Sequence, residues 1–255
     1  MAWIPADSVF NPDEHDNEIV GIASELTQHD SGHHWHKKGQ LLFSQQGCMR
    51  ITLNDSICLL PPARIAWIPP SIVHRVEILG VVGYRSIYVD NQRHPTFGPH
   101  VEVLSVTALL REIVERIAFA DWSMNWQCDA AAHIWAVCKD EIHSAQREST
   151  LLPLPKDRRL RCLGEMEMPP PLRKLAANNG ATGKTISRIM MRETGLNYQQ
   201  WRQQWRLFKA IELLAETHPI TEVASILEFS SDSAFATFFK NMTGSTPRAY
   251  MGQRK

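Results

Sequence analysis

The chain has 255 residues, of which 44% are hydrophobic and 21% are charged, and this ordinary composition excludes a disordered or fibrous protein. No stretch approaches the roughly 20 apolar residues that a membrane-spanning helix needs, and the N-terminus lacks a basic region followed by an apolar run. We therefore expect a cytoplasmic protein without a membrane partner. The five cysteines form no C-x-x-C pair, which favours free thiols over a disulfide framework or a zinc ribbon.

The net charge is zero, but the charge is divided unevenly along the chain. Residues 1–155 hold 11 Lys or Arg against 18 Asp or Glu, whereas residues 156–255 hold 16 against 9. Such a division predicts a basic module that binds a polyanion, beside an acidic module with a different task.

Short strands are predicted in the first part of the chain, which we assign to one β domain over residues 1–99. Met49, Ile51 and Leu53 alternate with polar residues, as side chains do on a strand with one buried face. Further strands are predicted at Ile57–Leu60, Ile65–Ile68, Ile72–Ile78 and Val81–Val89. Many short strands separated by prolines are typical of a β-sandwich or small barrel.

Two amphipathic helices are predicted in residues 100–155. The apolar face of the first consists of Leu109, Leu110, Ile113 and Ile117, and the second spans Ala130 to Ile142. These helices either cover the β domain or pair with a second chain, and the sequence does not separate the two. The prolines at positions 153 and 155 then break the helical pattern, which predicts a domain boundary at residue 155.

Residues 156–255 contain two helix-turn-helix patterns. In the first, Asn179-Gly180 ends one helix and Thr182 caps the next. In the second, Ser230 is expected to cap a helix whose inner face carries Phe235, Phe238, Phe239 and Met242. A helix of about 30 Å is predicted between the two units, from Asn197 to Glu216, which would place two recognition helices about one DNA turn apart.

Four strings in this half resemble the AraC-type (AraC/XylS) family of bacterial transcription regulators. They are Ser187–Gly195, Trp201–Leu207, Phe229–Phe235 and Thr243–Tyr250. The N-terminal half is similar to the cupin-type sensor domain that one branch of the family carries. The resemblance implies an α+β chain, with a cupin-like β-barrel, a helical linker and dimerisation segment, and an all-α domain of two helix-turn-helix units joined by a long helix.

The chain departs from the family pattern at two positions of the DNA-binding half. Glu228 stands where the family usually has glycine, and glycine at such a turn usually serves a positive φ, so we expect strain or a changed angle between the helices. Met190 stands where the family usually has a bulky aromatic residue, a change that methionine absorbs in a core.

The resemblance assigns base-reading positions to both units. The DNA-facing residues are Lys184, Ser187 and Arg188 in the first unit, and Asp232, Ser233, Ala236, Thr237 and Lys240 in the second. Arg188 suits bidentate contact with guanine, and Lys184 suits guanine or phosphate. Asp232 would repel phosphate, and Ala236 offers only a methyl contact. We therefore predict that the first unit dominates specificity while the second mainly positions the protein on the DNA backbone.

The histidines of the N-terminal half resemble the two metal-binding motifs of cupins. His34 and His36 would share one face of a strand, and His74 would approach from another strand. With Gln40, which replaces the usual cupin glutamate, they would form a site for zinc, nickel, iron or manganese. A metal site, a metal-free ligand pocket and plain structural histidines all remain open. Ser71 stands where glycine is common.

Two neighbouring residues are left out of this site. His33 would lie on the opposite pleat of an extended strand, and Trp67 is expected in the core rather than in a pocket wall.

These patterns together predict a sequence-specific regulator that binds double-stranded DNA, acts as a homodimer and responds to a small-molecule effector in the cupin domain, with or without a metal ion. One alternative is a metal-dependent cupin oxygenase or isomerase fused to a DNA-binding domain. The missing carboxylate, and the lack of a nucleophile elbow or phosphate loop, favour a protein that is not an enzyme. The other alternative is a constitutive DNA-binding protein without an effector.

Overall fold

The computed structural model describes residues 3–5, 8, 10–27, 29–80, 82–95, 97–148 and 150–251. Val81, the first residue of one predicted strand, and the two ends of the predicted domains, Met1 and Lys255, lie outside the described residues. The chain folds into two compact units, of which one comprises Met1–Ile51 and Leu60–Thr150 and the other Thr52–Leu59 and Leu151–Lys255. The boundaries at residues 99 and 155 stay predictions. Within the described residues, no helix is long and apolar enough to cross a membrane.

Ten strands are named in chain order. They are β1 (Ile19–Leu26), β2 (His29–Asp30), β3 (Gly39–Ser44), β4 (Cys48–Leu53), β5 (Ser56–Leu60), β6 (Arg64–Ile68), β7 (His74–Leu79), β8 (Val82–Val89), β9 (Glu102–Ser105) and β10 (Leu151–Pro153). In the first unit, one antiparallel sheet has the order β1-β8-β3-β6-β9, and β4, β7 and β2 lie side by side in a second sheet. In the second unit, β5 and β10 pair antiparallel.

The strands from β4 to β8 confirm the β-region predicted from alternation, but β1 and β9 were not predicted. β1 is buried along almost its whole length, so its sequence shows no alternation. Gly21 explains part of this burial, because a Cβ atom there would lie only 2.1 Å from the carbonyl oxygen of Ile117. A glycine in a strand thus permits the close approach of a helix. β9 lies in the segment predicted to be helical, so that prediction was wrong for Glu102–Ser105.

Two helices, α1 (Ala108–Ala118) and α2 (Asp129–Ser144), pack on the first sheet of this unit. Ile113 and Ile117 of α1 and Trp135 of α2 join a core that also contains Trp67, which is 1% exposed. The prediction that Trp67 lies in the core is confirmed. Leu109 was predicted on the inner face but is 52% exposed, and Val114 is buried instead. The two helices therefore cover the β domain.

The second unit is mainly helical. Its helices are α3 (Leu172–Asn178), α4 (Gly183–Thr194), α5 (Tyr198–Ala215), α6 (Ile220–Ile226), α7 (Asp232–Thr243) and α8 (Pro247–Tyr250). The long helix α5 was predicted within one residue at each end, because Asn197 caps it with a capping box that Gln200 completes. Its 18 residues span about 27 Å at 1.5 Å per residue. The pairs α3–α4 and α6–α7 confirm two helix-turn-helix units joined by this helix.

Candidate effector site and DNA-binding surface

The histidine site begins at a bridge between two backbone segments. His34 and His74 lie directly opposite each other, and the N–H of each donates to the carbonyl oxygen of the other at 2.9 Å. The H-x-H pair was expected on a regular strand, and the structure corrects this, because the next strand, β3, starts only at Gly39. The extended backbone at this bridge still places the imidazoles of His34 and His36 on the same side. The ring centroids of His34 and His36 lie 4.3 and 5.1 Å from that of His74.

Backbone carbonyl groups fix the tautomer of all three imidazoles. The Nδ1 atom of His34 lies 3.1 Å from the carbonyl oxygen of Gly32, that of His74 lies 2.8 Å from the oxygen of Ile72, and that of His36 contacts the oxygen of Lys38. Because a carbonyl oxygen only accepts hydrogen bonds, each Nδ1 carries the proton and each Nε2 keeps a lone pair. This is the orientation in which histidines bind metal ions.

The lone pairs of His36 and His74 are available near neutral pH. Burial lowers the pKa of the His74 imidazole to about 4 and also lowers the pKa of His36, and the neighbouring His34 adds to both shifts. Ring nitrogens of His34, His36 and His74 lie within 4.8 Å of one another. Among the described residues, the buried Nε2 of His74 has no hydrogen-bond partner. The Nε2 atoms of the three histidines can therefore only accept a hydrogen bond or bind a cation.

Gln40 completes the arrangement from β3. Its amide nitrogen donates to the hydroxyl groups of Ser86 at 2.8 Å and Tyr88 at 3.2 Å, and its oxygen Oε1 lies 3.3 Å from Nε2 of His36. Both of the last two atoms are acceptors, so a cation or a donor between them would stabilise this geometry. Three Nε2 atoms and one amide oxygen fit a divalent metal ion. The structure thus brings together all four residues predicted for this site.

Sequence reasoning missed the polar groups that orient Gln40. Tyr84, Ser86 and Tyr88 lie two residues apart on β8 and so face the same side of the sheet. Burial raises the pKa of both tyrosines, which keeps their hydroxyl groups protonated and able to donate. The period-two spacing of three hydroxyl groups was a visible signal in the sequence, but nothing there connected it to Gln40.

Ser71, which stands where glycine is common, adopts a left-handed backbone conformation. Its φ is +64°, and its N–H donates to the carbonyl oxygen of His36 at 2.9 Å. The left-handed turn at Ser71 therefore ties the loop before β7 to the histidine pair.

The first helix-turn-helix unit presents its predicted residues to solvent. α3 ends at Asn178, Gly180 adopts a φ of +57°, and Thr182 caps α4 by accepting from the N–H of Thr185. On α4, Ile186, Ile189 and Met190 are buried, Lys184 and Arg188 are exposed, and Ser187 is half-buried. The outer face predicted for α4 is therefore accessible.

The second unit differs from its prediction at two points. Ser231, not Ser230, caps α7 by accepting from the N–H of Ala234, so the turn is one residue longer than expected. Met242 was predicted on the inner face but is 39% exposed, because α7 ends one residue later and leaves it at the last turn. Asp232, Ser233, Thr237 and Lys240 are exposed, and Ala236 is half-buried.

Two arginines of α5 support the turn between α6 and α7. The Arg202 guanidinium donates to the carboxylate of Glu228 at 2.9 Å and to the carbonyl oxygen of Pro169 at 2.6 Å. Arg206 donates to the carbonyl oxygen of Leu227 and lies 3.8 Å from the ring centroid of Phe229. Glu228 has a φ of +58°, so the positive φ expected at this position is present without a glycine.

The sequence matches two protein families. The family described as AraC-like ligand binding domain matches residues 16–132, and the family described as helix-turn-helix domain matches residues 175–253. The transcriptional regulator NimR of Escherichia coli K12 is 26% identical over 254 residues, which cover 96% of this chain and 91% of NimR. The regulator RipA of Corynebacterium glutamicum is 29% identical over 103 residues, which cover 38% of this chain and 31% of RipA.

Two solved structures are also similar to the chain. ToxT of Vibrio cholerae O395 is 9% identical, with 92% of this chain and 97% of ToxT covered and a TM-score of 0.36. The DNA-binding domain of AdpA in complex with a target DNA is 28% identical, with 39% of this chain and 91% of that chain covered and a TM-score of 0.33. The chain therefore contains an N-terminal domain of the AraC-like ligand binding family and a C-terminal helix-turn-helix domain, and it is similar over nearly its whole length to a transcriptional regulator.

Proposed function

We propose that the regulator senses its effector at the site of His34, His36, Gln40 and His74, and that occupancy of this site changes its affinity for DNA. The observation that carries the proposal is the convergence of three buried or half-buried imidazoles whose Nδ1 atoms are all engaged by backbone carbonyl oxygens. Structural histidines have no need of a shared tautomer, whereas a binding site for a cation does.

A divalent metal ion fits this donor set best. Imidazole nitrogens suit zinc, nickel and iron, whereas manganese prefers carboxylate and other oxygen ligands, so the first three ions rank above manganese. A bound ion would supply open coordination positions for an effector. The protein residues would orient it, since the hydroxyl groups of Ser86 and Tyr88 hold the Gln40 amide with its oxygen toward His36.

The second candidate is a metal-free pocket. Three Nε2 lone pairs and an amide oxygen only accept, so such a pocket would select a molecule rich in N–H or O–H donors. Metal analysis of the purified protein separates the two. In either case we propose that the domain senses rather than catalyses, because the same chain also carries a helix-turn-helix domain whose DNA binding it would control.

DNA recognition is proposed to rest on α4 more than on α7. Lys184, Ser187 and Arg188 present a donor-rich face that suits guanine and phosphate. On α7, Asp232 repels phosphate and Thr237 offers a single hydroxyl group, and Ser233, Ala236 and Lys240 complete the surface that would hold the protein on the DNA backbone.

We further propose that the regulator works as a homodimer. Leu109 on α1 and Val137 on α2 are 52% and 40% exposed, and these apolar side chains would be covered by a second copy. Two paired copies would present their recognition helices to two half-sites.

The test of the sensor proposal uses protein purified without a His-tag. Metal content is measured first, and binding of Zn²⁺, Ni²⁺ and Fe²⁺ is then measured by titration calorimetry for the wild type, His36→Ala, His74→Ala and His33→Ala. His33 is exposed beside the site and provides the matched control. The proposal expects one ion per chain for the wild type and His33→Ala, and none for the other two variants. Equal binding by all four proteins would contradict it.

A further inference from the structure

The lysine and arginine side chains of the second unit fall into two groups: those that form ion pairs or are buried, and those that are exposed and form no ion pair among the described residues. Five Lys or Arg residues form ion pairs, namely Lys156 with Asp55, Arg159 with Asp157, Arg192 with Glu193, Arg202 with Glu228 and Lys209 with Glu212. Arg206 is buried against Phe229. The charges of these six cations are therefore paired or buried, and the remaining basic charge has no such partner among the described residues.

Eight further cations of this unit are exposed and form no ion pair within the part of the chain that the structure describes. They are Arg158, Arg161, Arg173, Lys174, Lys184, Arg188, Lys240 and Arg248. Three of them lie on the recognition helices α4 and α7, where base reading and phosphate contact explain them. Four others cluster in sequence between residues 158 and 174, before and at the start of α3, where base reading does not explain them.

The segment that carries these four cations is fixed to the first helix-turn-helix unit. The carboxylate of Glu193, near the end of α4, accepts from the backbone N–H groups of Lys156 and Asp157 at 2.8 and 2.9 Å. The indole of Trp201 donates to the carbonyl oxygen of Pro153 at 2.7 Å, and Arg202 donates to that of Pro169. Contacts at both ends hold the segment against α4 and α5, so its arginines are pre-positioned rather than carried on a free linker.

In this segment the acidic residues are fewer than the basic residues, and one of them is already paired with an arginine. Residues 156–174 contain six Lys or Arg and three Asp or Glu. Asp157 is bound to Arg159, which holds the pKa of that carboxyl group far below its usual range. Arg158 and Arg161 on either side of Arg159 are exposed and form no ion pair among the described residues, so both are accessible to a polyanion.

We propose that Arg158, Arg161, Arg173 and Lys174 form a second DNA-contacting surface, which binds backbone phosphates outside the bases that α4 reads. The proposal rests on the DNA-binding function of the helix-turn-helix domain and extends it to residues that lie off both recognition helices. In helix-turn-helix proteins the first helix of a unit crosses the DNA backbone, and Arg173 and Lys174 lie in the first turn of that helix, α3. Such contacts raise the affinity for any sequence and leave base preference unchanged.

The affinity of the full chain for a DNA duplex of about 40 base pairs, roughly four turns of about 10 base pairs each, is measured by fluorescence anisotropy over a series of salt concentrations. The duplex has a mixed sequence, because phosphate contacts act on any sequence. The test variants are the pairs Arg158→Ala with Arg161→Ala and Arg173→Ala with Lys174→Ala. The matched control is Arg159→Ala, which removes an exposed arginine of the same segment that is bound to Asp157. Charge-preserving Lys variants of Arg158 and Arg161 test whether charge alone matters, and thermal unfolding checks that every variant folds.

Each test pair is expected to reduce the slope of log affinity against log salt by about 1.8, since each phosphate contact contributes about 0.9 to it. Arg159→Ala and the Lys variants should keep the wild-type slope. Wild-type slopes in both test pairs, or a reduced slope in only one of them, would overturn the four-residue surface. A wild type that binds no duplex at any salt concentration would instead contradict DNA binding itself, so the two failures are distinguishable.

Discussion

The carboxylate of Glu228 accepts a hydrogen bond at 2.9 Å from the buried guanidinium of Arg202, in the turn between α6 and α7. Glu228 adopts a φ of +58°, a conformation that costs residues other than glycine roughly 1–2 kcal/mol. The ion pair offsets part of this cost, although the side chain of Glu228 is 61% exposed and solvent limits the contribution of such a pair to at most about 1 kcal/mol. Arg202 of α5 therefore helps to stabilise this turn, which has no glycine at the position of Glu228.

This relationship predicts an ordering of two variants at one position. Glu228→Gly loses the ion pair but removes the strain, whereas Glu228→Ala loses the ion pair and keeps the strain. After the greater entropy of glycine in the unfolded chain is deducted, Glu228→Gly should be the more stable variant by about 0.5–1 kcal/mol. Urea unfolding followed by tryptophan fluorescence measures the difference. An alanine variant as stable as the glycine variant would show that Glu228 is unstrained.

The two recognition helices are expected to contribute unequally. Arg188→Ala removes a bidentate partner for guanine and should lower operator affinity by about 1–3 kcal/mol while relaxing base preference at one position. Thr237→Ala should have a smaller effect and leave base preference unchanged. Selection of DNA fragments from the genome by the purified protein supplies the operator, and affinities are then measured for both variants. The ranking is wrong if Thr237→Ala abolishes binding while Arg188→Ala retains both affinity and preference.

Gln40 should limit the metal affinity of the sensor site. Gln40→Glu restores a carboxylate, and the hydroxyl groups of Ser86 and Tyr88, which now accept from the amide, can rotate to donate to it. Zinc affinity should rise on the order of tenfold, which is the size of the change in metal affinity that mutations at or beside metal ligands commonly cause. Titration calorimetry of the wild type and Gln40→Glu measures this, with His33→Glu as a control that adds the same charge outside the site. An equal gain in both variants would indicate a general charge effect.

The homodimer proposal predicts a change in oligomeric state. Leu109→Glu and Val137→Glu place charges on exposed apolar positions of α1 and α2, and sedimentation velocity should show a shift from dimer to monomer. Ile226→Glu, at a position of α6 that is 44% exposed, should leave the dimer intact. A dimer that persists with both Leu109→Glu and Val137→Glu would place the interface elsewhere.

Much of the second unit was predictable because its helix ends depend on local chemistry. The caps at Thr182 and Asn197 and the stop at Asn179-Gly180 all follow from short side chains and glycine acting within a few residues. The same reasoning predicted the wrong N-cap for α7, because Ser230 and Ser231 are adjacent and equally suited to capping. The structure has Ser231 at this position.

Tertiary contacts explain what the sequence could not reveal. β1 shows no alternation because α1 covers the face that alternation would leave polar, and the exposure of Leu109 follows from where α1 meets the sheet. The residues of the histidine site were predictable as residue types at given positions. Their common tautomer was not, because it depends on three carbonyl oxygens that only the folded backbone brings to Nδ1.

Occupancy of the histidine site is proposed to control DNA binding. The decisive measurement is the affinity of the full chain for its recovered operator with and without Zn²⁺, in the wild type and in His36→Ala. We expect Zn²⁺ to change the wild-type affinity by about 5-fold or more, the lower bound of typical coupling between two sites, and to leave the affinity of His36→Ala unchanged. A wild-type affinity that is the same with Zn²⁺, Ni²⁺, Fe²⁺ or no metal, in protein shown to bind the ion at this site, would contradict it.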